Sequence, residues 1–323
     1  VTGLGASLAL PREQALGNDV LDGLTRPFKE LSPKYLYDAR GSELFAEITE
    51  QPEYYPTRAE LEILRNRAAE IVARTGAGEL VELGAGASLK ARVLLDAMRD
   101  AGTLRRYVPL DVSAKVVDDA ARSLARDYPG LTVRGVVGDF ERHLGRVDRD
   151  GDTPRLVALL GGTIGNFPPG TRRTVLRKIS ELLQDGDELL LGTDLVKDPH
   201  VIEAAYNDAA GVTARFNLNM LSVLNRELGA DFPIENFAHV AFYDRAHAWI
   251  EMRLRARRPC SVYVAAVDLR VEFAAGEELR TEISAKFTCE GVRDDLAAGG
   301  LVLERWLTDD AERYAVSLAR LAV

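Results

Sequence analysis

From about residue 79 the chain alternates short runs rich in Val, Leu and Ile with longer runs of helical periodicity. Few folds other than a parallel sheet with crossover helices accommodate that alternation. The run ELVELGAG (79–86) predicts the first strand. Ser88 is then placed to cap a helix whose apolar residues Leu89, Val93, Leu94, Ala97 and Met98 recur with helical spacing. RRYVPLDVS (105–113) predicts the second strand, with a helix from Ala114 to Tyr128 that stops before Pro129 and Gly130. LTVRGVVGDF predicts the third strand and RLVALLGGTIGNF the fourth; a helix over 171–184 and a fifth strand, DELLLGTDL (187–195), follow.

The alternation stops after Lys197. A helical stretch that includes Tyr206, Phe216 and Leu221 runs to about Leu228, and residues 239–287 then alternate with period two, as in WIEMRLRAR and LRTEISAKF. Strands without intervening helices predict a second structural unit inserted after the fifth strand. The last segments, CEGVRDDLAAGG, LVLERWLTD and AVSLARLAV, predict one helix and two strands that return to complete the first sheet. At 323 residues the chain is also longer than a single core usually grows, which favours two lobes. The expected fold class is α/β, a doubly wound, parallel-type sheet with a second α+β lobe.

Charge and composition narrow the function. Lys and Arg total 41 against 50 Asp and Glu, a net charge of −9, whereas a nucleic-acid binder needs a basic face. Cys260 and Cys289, with His143, His200, His239 and His247, form neither a zinc-like spacing nor a disulfide framework, so no metal is expected. Apolar runs such as 156–160 are far shorter than a membrane span of about 20 residues. The start VTGLGASLALPRE lacks the basic segment of a secretory signal. A cytoplasmic protein, acting as a monomer on a small molecule, is expected.

Ligands of open α/β sheets lie beyond the carboxyl ends of the strands. The first exit carries Gly84, Ala85 and Gly86, where glycine lets backbone approach a ligand. Asp111 ends the second strand, placed to take both hydroxyls of a ribose. Gly138-Asp139-Phe140 ends the third, with a carboxylate for an adenine amino group and a ring to pack on the base. Gly161-Gly162-Thr163-Ile164-Gly165-Asn166 ends the fourth in a glycine-rich turn. Leu89 stands where the third glycine of the dinucleotide fingerprint would be, which weakens a pyrophosphate reading. Tight turns and helix caps explain any one of these exits equally well. All four together point to a ligand with ribose and adenine but no pyrophosphate, S-adenosylmethionine.

The segments KYLYDARGSELFAEITEQPEYYPTRAE, VELGAG, GGTIGNF, GTDLVKD, AAYNDAAGVTARFN and TEISAKF closely resemble the histidine Nα-methyltransferases of ergothioneine biosynthesis over residues 30–320. The resemblance implies a Rossmann-like methyltransferase domain (61–196 plus 287–323) that binds S-adenosylmethionine and releases S-adenosylhomocysteine. It also implies an amino-acid-binding domain (1–60 plus 197–286). Gly84, Lys90, Asp111, Asp139 and Phe140 would bind the cofactor, joined by Gly86 of the first strand exit. Asn166 and Tyr206 would hold the α-carboxylate and α-amine of L-histidine, with Tyr37 and Thr163 near the amine and Gly161 offering a carbonyl. Tyr54, Glu282 and Ser284 would meet the imidazole, and Met252 would line its pocket. Where family members often carry Ser-Gly or Gly-Ser, this chain has Ala85 and Gly162, both exchanges of small residues. Three transfers to the α-amine would give hercynine, a trimethylammonium betaine.

Methyl transfer from a sulfonium is an in-line displacement, so the protein's main task is to hold a neutral amine in position. Tyr37 and Asn166 are the catalytic candidates. Tyr37 is assigned positioning first, because a phenol with a pKa near 10 is a poor base. Tyr37 and Phe140 are also candidates to accommodate the cationic product. On the strand LRTEISAKF, Glu282, Ser284 and Lys286 share one face and Thr281, Ile283, Ala285 and Phe287 the other. A solvated face with a Glu282–Lys286 ion pair is the ordinary explanation; the resemblance favours an imidazole site instead. Tyr54 and Tyr55 precede Pro56 in extended chain, where packing alone would explain them, and only one need face a ligand. Asn166 could equally close an Asx turn, and Tyr206 could serve the core. The alternatives are the same chemistry on tryptophan or another aromatic amino acid, a nicotinamide-dependent oxidoreductase, and a non-catalytic S-adenosylmethionine sensor.

Overall fold

The computed structural model describes residues 12–86, 88–149 and 151–322, with side chains from residue 14 onward. The expectation about a secretory signal falls on residues 1–11 and lies outside the described residues. The chain divides into two compact units: Val1–Ile48, Tyr206–Phe242 and Glu251–Glu282 form one, and Thr49–Ala205, Tyr243–Ile250 and Ile283–Val323 the other.

The larger unit is built on the expected sheet. Its strands run in the order Leu301–Thr308, Tyr314–Leu321, Glu188–Asp194, Arg155–Leu159, Glu79–Leu83, Arg106–Asp111 and Thr132–Val133, with Val136–Val137 also pairing Arg106–Asp111. Strands from Glu188–Asp194 to Thr132–Val133 are parallel, whereas Tyr314–Leu321 is antiparallel to both its neighbours. The two final strands thus close one edge of the sheet, as the sequence predicts. This is a Rossmann-like α/β fold.

Alternation along each strand supplies a core on both faces. Leu80, Tyr107, Leu156, Ala158 and Leu190 pack with Ile63, Leu64, Leu94 and Met98, which come from the helices Pro56–Thr75 and Leu89–Asp100. Val81, Leu83, Val108, Leu110, Val157 and Leu189 instead join Val175, Leu176, Val292 and Leu296 of the helices Pro169–Ser180 and Cys289–Ala298. Each fully buried Leu or Val contributes about 1.5–3 kcal/mol, so strands apolar on both faces bind this layer together. The direction of strand addition reverses between Glu79–Leu83 and Arg155–Leu159. That reversal opens a crevice at their carboxyl ends, where Gly84–Gly86 and Gly161–Asn166 emerge.

The smaller unit contains the helices Arg12–Thr25, Ala39–Thr49 (to its residue 48) and Val212–Leu228, and a ribbon of Cys260–Val264 paired antiparallel with Leu269–Phe273. The remaining strands form a four-stranded sheet of order Lys29–Glu30, Glu278–Ala285, Trp249–Ala256, Phe237–Asp244.

Several local expectations are modified. The third strand is split into Thr132–Val133 and Val136–Val137. The helical stretch after Lys197 is two helices, Pro199–Ala205 and Val212–Leu228, because Asp208 caps the second by accepting from the backbone of Val212 (2.8 Å) and Thr213 (2.7 Å). Ser88 stands at the helix N-terminus in a left-handed conformation (φ 55°) and makes no side-chain cap. The domain boundaries expected at 60/61, 196/197 and 286/287 compare with unit changes at 48/49, 205/206, 242/243, 250/251 and 282/283. Pro56–Thr75 is one continuous helix against Leu89–Asp100 and Tyr314–Leu321, which draws residues before 61 into the larger unit. No helix among the described residues is long and apolar enough to cross a membrane.

Candidate active site

Gly84 (φ 79°) and Gly86 (φ 49°) both adopt left-handed backbone with open space where a side chain would project, so the turn after Glu79–Leu83 is shaped to leave room. Asp111, at the end of the neighbouring strand, braces this turn: its Oδ2 accepts from the Gly86 N–H (3.3 Å) and its Oδ1 from the Ser113 N–H (2.9 Å). Burial raises the Asp111 carboxyl above its ordinary value, against the effect of those backbone donors. Asp139 caps the short helix Phe140–His143 through a bond from the Glu141 N–H (2.9 Å). Phe140 is half-buried and stands edge-on to Phe167, with centroids 5.8 Å apart.

The other side of the crevice is organised by a residue the sequence reading passed over. Glu60, fully buried in Pro56–Thr75, accepts from the Gly161 N–H with both carboxylate oxygens (2.8 and 3.0 Å) and from the Tyr314 hydroxyl (3.0 Å). Lys90 pairs with it at 2.5 Å, so the expected cofactor lysine is tied to the glycine-rich turn through one carboxylate. Burial, then the Glu60 charge, pushes the Tyr314 phenol far up, which keeps it a donor. Thr163 spends its hydroxyl within the turn on the Leu160 carbonyl (2.9 Å). Asn166, last residue of the 3-10 turn Thr163–Asn166, is half-buried and its amide makes no hydrogen bond among the described residues; the Asx turn considered from sequence is not formed.

Glu82, one residue before the end of its strand, accepts from the Tyr107 hydroxyl, and burial lifts its pKa to about 8. An unfolded glutamate ionises near 4.5, so the native state holds a proton that the unfolded chain releases between pH 4.5 and about 8. This group's contribution to stability is present below pH 4.5 and is lost as pH rises through 8. Glu82→Gln is therefore expected to melt higher than the native protein at pH 8.5, by on the order of 3 kcal/mol of stability, with the gap closing toward pH 5. Thermal melts across that range check it; a gap that is constant with pH would show that Glu82 is ionised throughout.

A third cluster surrounds Asp194 at the end of Glu188–Asp194. Its carboxylate accepts from the Tyr55 hydroxyl (2.9 and 2.8 Å), from Lys197 (2.6 Å) and from Lys286 (2.9 Å). Burial pushes the Asp194 carboxyl up, and the two ammonium groups more than offset it, holding the group below its ordinary value. Burial lowers Lys197 to about 8 against the pull of Asp194. Glu282 and Lys286 are both buried, and Lys286 is paired with Asp194, so the solvated strand face weighed from sequence is not what forms.

The expected substrate residues are divided between the units. Tyr54, Gly161, Thr163, Asn166 and Ser284 belong to the larger; Tyr37, Tyr206, Met252 and Glu282 belong to the smaller. Within the smaller unit, Tyr37 packs edge-on against Phe45 and Phe216, both centroids at 5.4 Å. A buried polar chain supports the others. The Thr281 hydroxyl lies 2.5 Å from Asn217 Oδ1 and 3.1 Å from the Met252 carbonyl, and Asn217 Nδ2 lies 2.9 Å from His239 Nδ1. His239 Nε2 is 2.9 Å from the Tyr206 carbonyl, which assigns the proton to Nε2 and makes Nδ1 the acceptor from Asn217. Burial lowers the His239 pKa, in keeping with a neutral ring. Met252, Tyr206 and the strand bearing Glu282 are thereby held by one network.

A family model described as histidine-specific methyltransferase, SAM-dependent, matches residues 16–321. A histidine N-alpha-methyltransferase from Mycolicibacterium smegmatis is 54% identical over 306 residues, covering 95% of each chain. The chain belongs to this family of histidine-specific, S-adenosylmethionine-dependent methyltransferases. Ergothioneine biosynthesis protein 1 of Neurospora crassa is 32% identical over 64% of this chain and 24% of its own length. Among solved structures, an S-adenosylmethionine-dependent methyltransferase from Clostridium acetobutylicum shares the fold at 11% identity, with a TM-score of 0.50 over 87% of this chain and 99% of that one.

The crevice fits the family's cofactor. The two left-handed glycines leave room for a ligand against the backbone, and the Asp111 carboxylate ends its strand beside them. Those features suit a ribose with its two hydroxyls, and Phe140 and Asp139 lie at the next strand exit. The sequence assigns no role to Glu60 or Asp194, and it offers Tyr55 as packing and Lys286 as half of a surface ion pair; with Lys197, all stand inside the segments that carry the resemblance, PEYYPTRAE, GTDLVKD and TEISAKF.

Proposed function

We infer that the enzyme transfers three methyl groups in succession from S-adenosylmethionine to the α-amine of L-histidine, giving hercynine at the first step of ergothioneine biosynthesis. Gly84, Gly86, Lys90, Asp111, Asp139 and Phe140 are the cofactor residues of this reading. When bound, S-adenosylmethionine supplies an electrophilic methyl group on a sulfonium. Asn166 and Tyr206 hold the α-carboxylate and α-amine of histidine, with Tyr37, Thr163 and the Gly161 carbonyl beside the amine. Tyr54, Glu282, Ser284 and Met252 receive the imidazole. An α-amine titrates near 8 in model peptides and somewhat higher in a free amino acid, so presenting it uncharged is a modest cost, and orientation is the main contribution of these residues. Tyr37 or a water passes the released proton outward. The enzyme acts as a cytoplasmic monomer.

The observation that carries the substrate assignment is the amide of Asn166, unengaged among the described residues, in a glycine-rich turn at the sheet's reversal point, within a chain that matches the histidine-specific family over residues 16–321. Mass spectrometry of the products formed from S-adenosylmethionine and a mixture of the twenty amino acids tests it. Histidine alone should gain three methyl groups. Methylation of tryptophan or another amino acid instead would overturn the imidazole assignment, and no methylation at all would leave a cofactor sensor.

A further inference from the structure

Asn217 is fully buried on the helix Val212–Leu228, and both N–H groups and the carbonyl oxygen of its side chain are engaged. One partner settles its orientation. The Arg253 carbonyl, 3.0 Å from Nδ2, can only accept, so the amide nitrogen faces it and Oδ1 faces the Thr281 hydroxyl at 2.5 Å. The second N–H of Nδ2 is then left for His239 Nδ1 (2.9 Å), which makes that ring nitrogen an acceptor and places the ring proton on Nε2, 2.9 Å from the Tyr206 carbonyl. The bonds therefore run in one direction, from Thr281 through Asn217 and His239 to Tyr206. On the other side, Thr281 Oγ1 lies 3.1 Å from the Met252 carbonyl.

The expected substrate residues of the smaller unit all border this chain of bonds. Glu282 follows Thr281 directly, the Met252 and Tyr206 carbonyls stand at its two ends, and the Tyr37 ring packs 5.4 Å from that of Phe216, the residue before Asn217. An apolar side chain can hold a helix against a sheet; a fully engaged amide adds direction, because each of its bonds fixes the orientation of one partner. We propose that Asn217 is a positioning residue that sets the amino-acid half of the site. Through His239 it holds the backbone at Tyr206, and through Thr281 it holds the strands that carry Met252 and Glu282. Histidine affinity depends on this amide, and cofactor affinity does not. The proposal rests on Tyr37, Tyr206, Met252 and Glu282 receiving histidine, as inferred above.

The test uses the full-length enzyme. Asn217→Asp keeps the size of the side chain but removes both donors, turning an acceptor toward the Arg253 carbonyl and His239. Calorimetry is expected to show histidine weakened by about tenfold or more, with S-adenosylhomocysteine affinity kept within about twofold. Thr281→Val cuts only the link to Met252 and Glu282 and should cost histidine about tenfold; it carries the test if Asn217→Asp does not fold. Equal losses of histidine and S-adenosylhomocysteine affinity would make the network purely structural and overturn the proposal. Nitrogen-15 spectra of enzyme labelled at its histidines give a readout separate from stability. The His239 resonances, identified by their loss in His239→Asn, should be pyrrole-type at Nε2 and pyridine-type at Nδ1, and the opposite tautomer would overturn the chain of bonds. Glu282→Ala separates the two levels of inference. Histidine affinity unchanged in all three variants would refute the placement of histidine in this half-site, whereas a loss in Glu282→Ala with none in Asn217→Asp or Thr281→Val would refute the role of Asn217 alone.

Discussion

Asp194→Ala is expected to lose about 3–5 kcal/mol of stability and to melt on the order of 10 °C lower than the native chain. The carboxylate is the shared partner of the buried Lys286 ammonium, of the partly buried Lys197 ammonium and of the Tyr55 hydroxyl. Its removal leaves charges in a site from which water is excluded. Asp194→Asn keeps the shape but not the charge, and should recover only a minor part of the loss. The pH dependence carries a definite sign. Because the folded-state pKa lies below the ordinary 3.8, the carboxylate's contribution is present above the unfolded value and is lost as pH falls through the folded one. The gap between native protein and Asp194→Asn should therefore be full at pH 7 and narrow in strong acid. Denaturant melts at both pH values measure it, and a gap of less than 1 kcal/mol at pH 7 would show that the two lysines are not held by this charge.

Glu282→Ala is expected to lower kcat/KM for histidine about a hundredfold, on the order of 3 kcal/mol in transition-state stabilisation, while the affinity for S-adenosylhomocysteine is unchanged. Glu282 is buried on the strand Glu278–Ala285, next to Thr281, which the Asn217 network anchors. Under the proposed function this carboxylate would accept from a ring N–H of the substrate, and its loss would strand that polar group of the ligand. Glu282→Gln, which still accepts a hydrogen bond, should fall between the two. Steady-state kinetics with histidine, together with calorimetry of the cofactor product, distinguish the outcomes: unchanged histidine turnover would remove Glu282 from substrate recognition, and lost cofactor affinity would make its role structural.

Much of the larger unit was legible because its signals are local. Strands apolar on both faces and helices with 3.6-residue periodicity report burial directly, and glycine at strand exits reports a backbone that must bend. Ser88 and Asp208 show the limit of such signals. Both are polar residues at a helix start, yet Asp208 caps and Ser88, held at φ 55°, does not. The Glu282–Lys286 spacing misleads in the same way. Two opposite charges on one strand face suggest a surface pair, but the bridge that brings Phe287 alongside Leu195 delivers Lys286 to Asp194 instead.

The order of apolar and polar residues along the chain, by itself, determined the α/β class, the insertion after the fifth strand, the return of the last two strands to the sheet and the family, because each is encoded in near-neighbour periodicity or in contiguous motifs. Only the tertiary structure decided that Glu60 ties Lys90 to Gly161 and Tyr314, that Glu82 retains a proton to about pH 8, and that Lys286 joins Asp194 to Ser284. Glu60 and Tyr314 are separated by 254 positions in the chain. Charges are matched across such distances by the packing of helices and strands, and the energy of a buried charge depends on which partner packing delivers, a quantity that no local pattern carries.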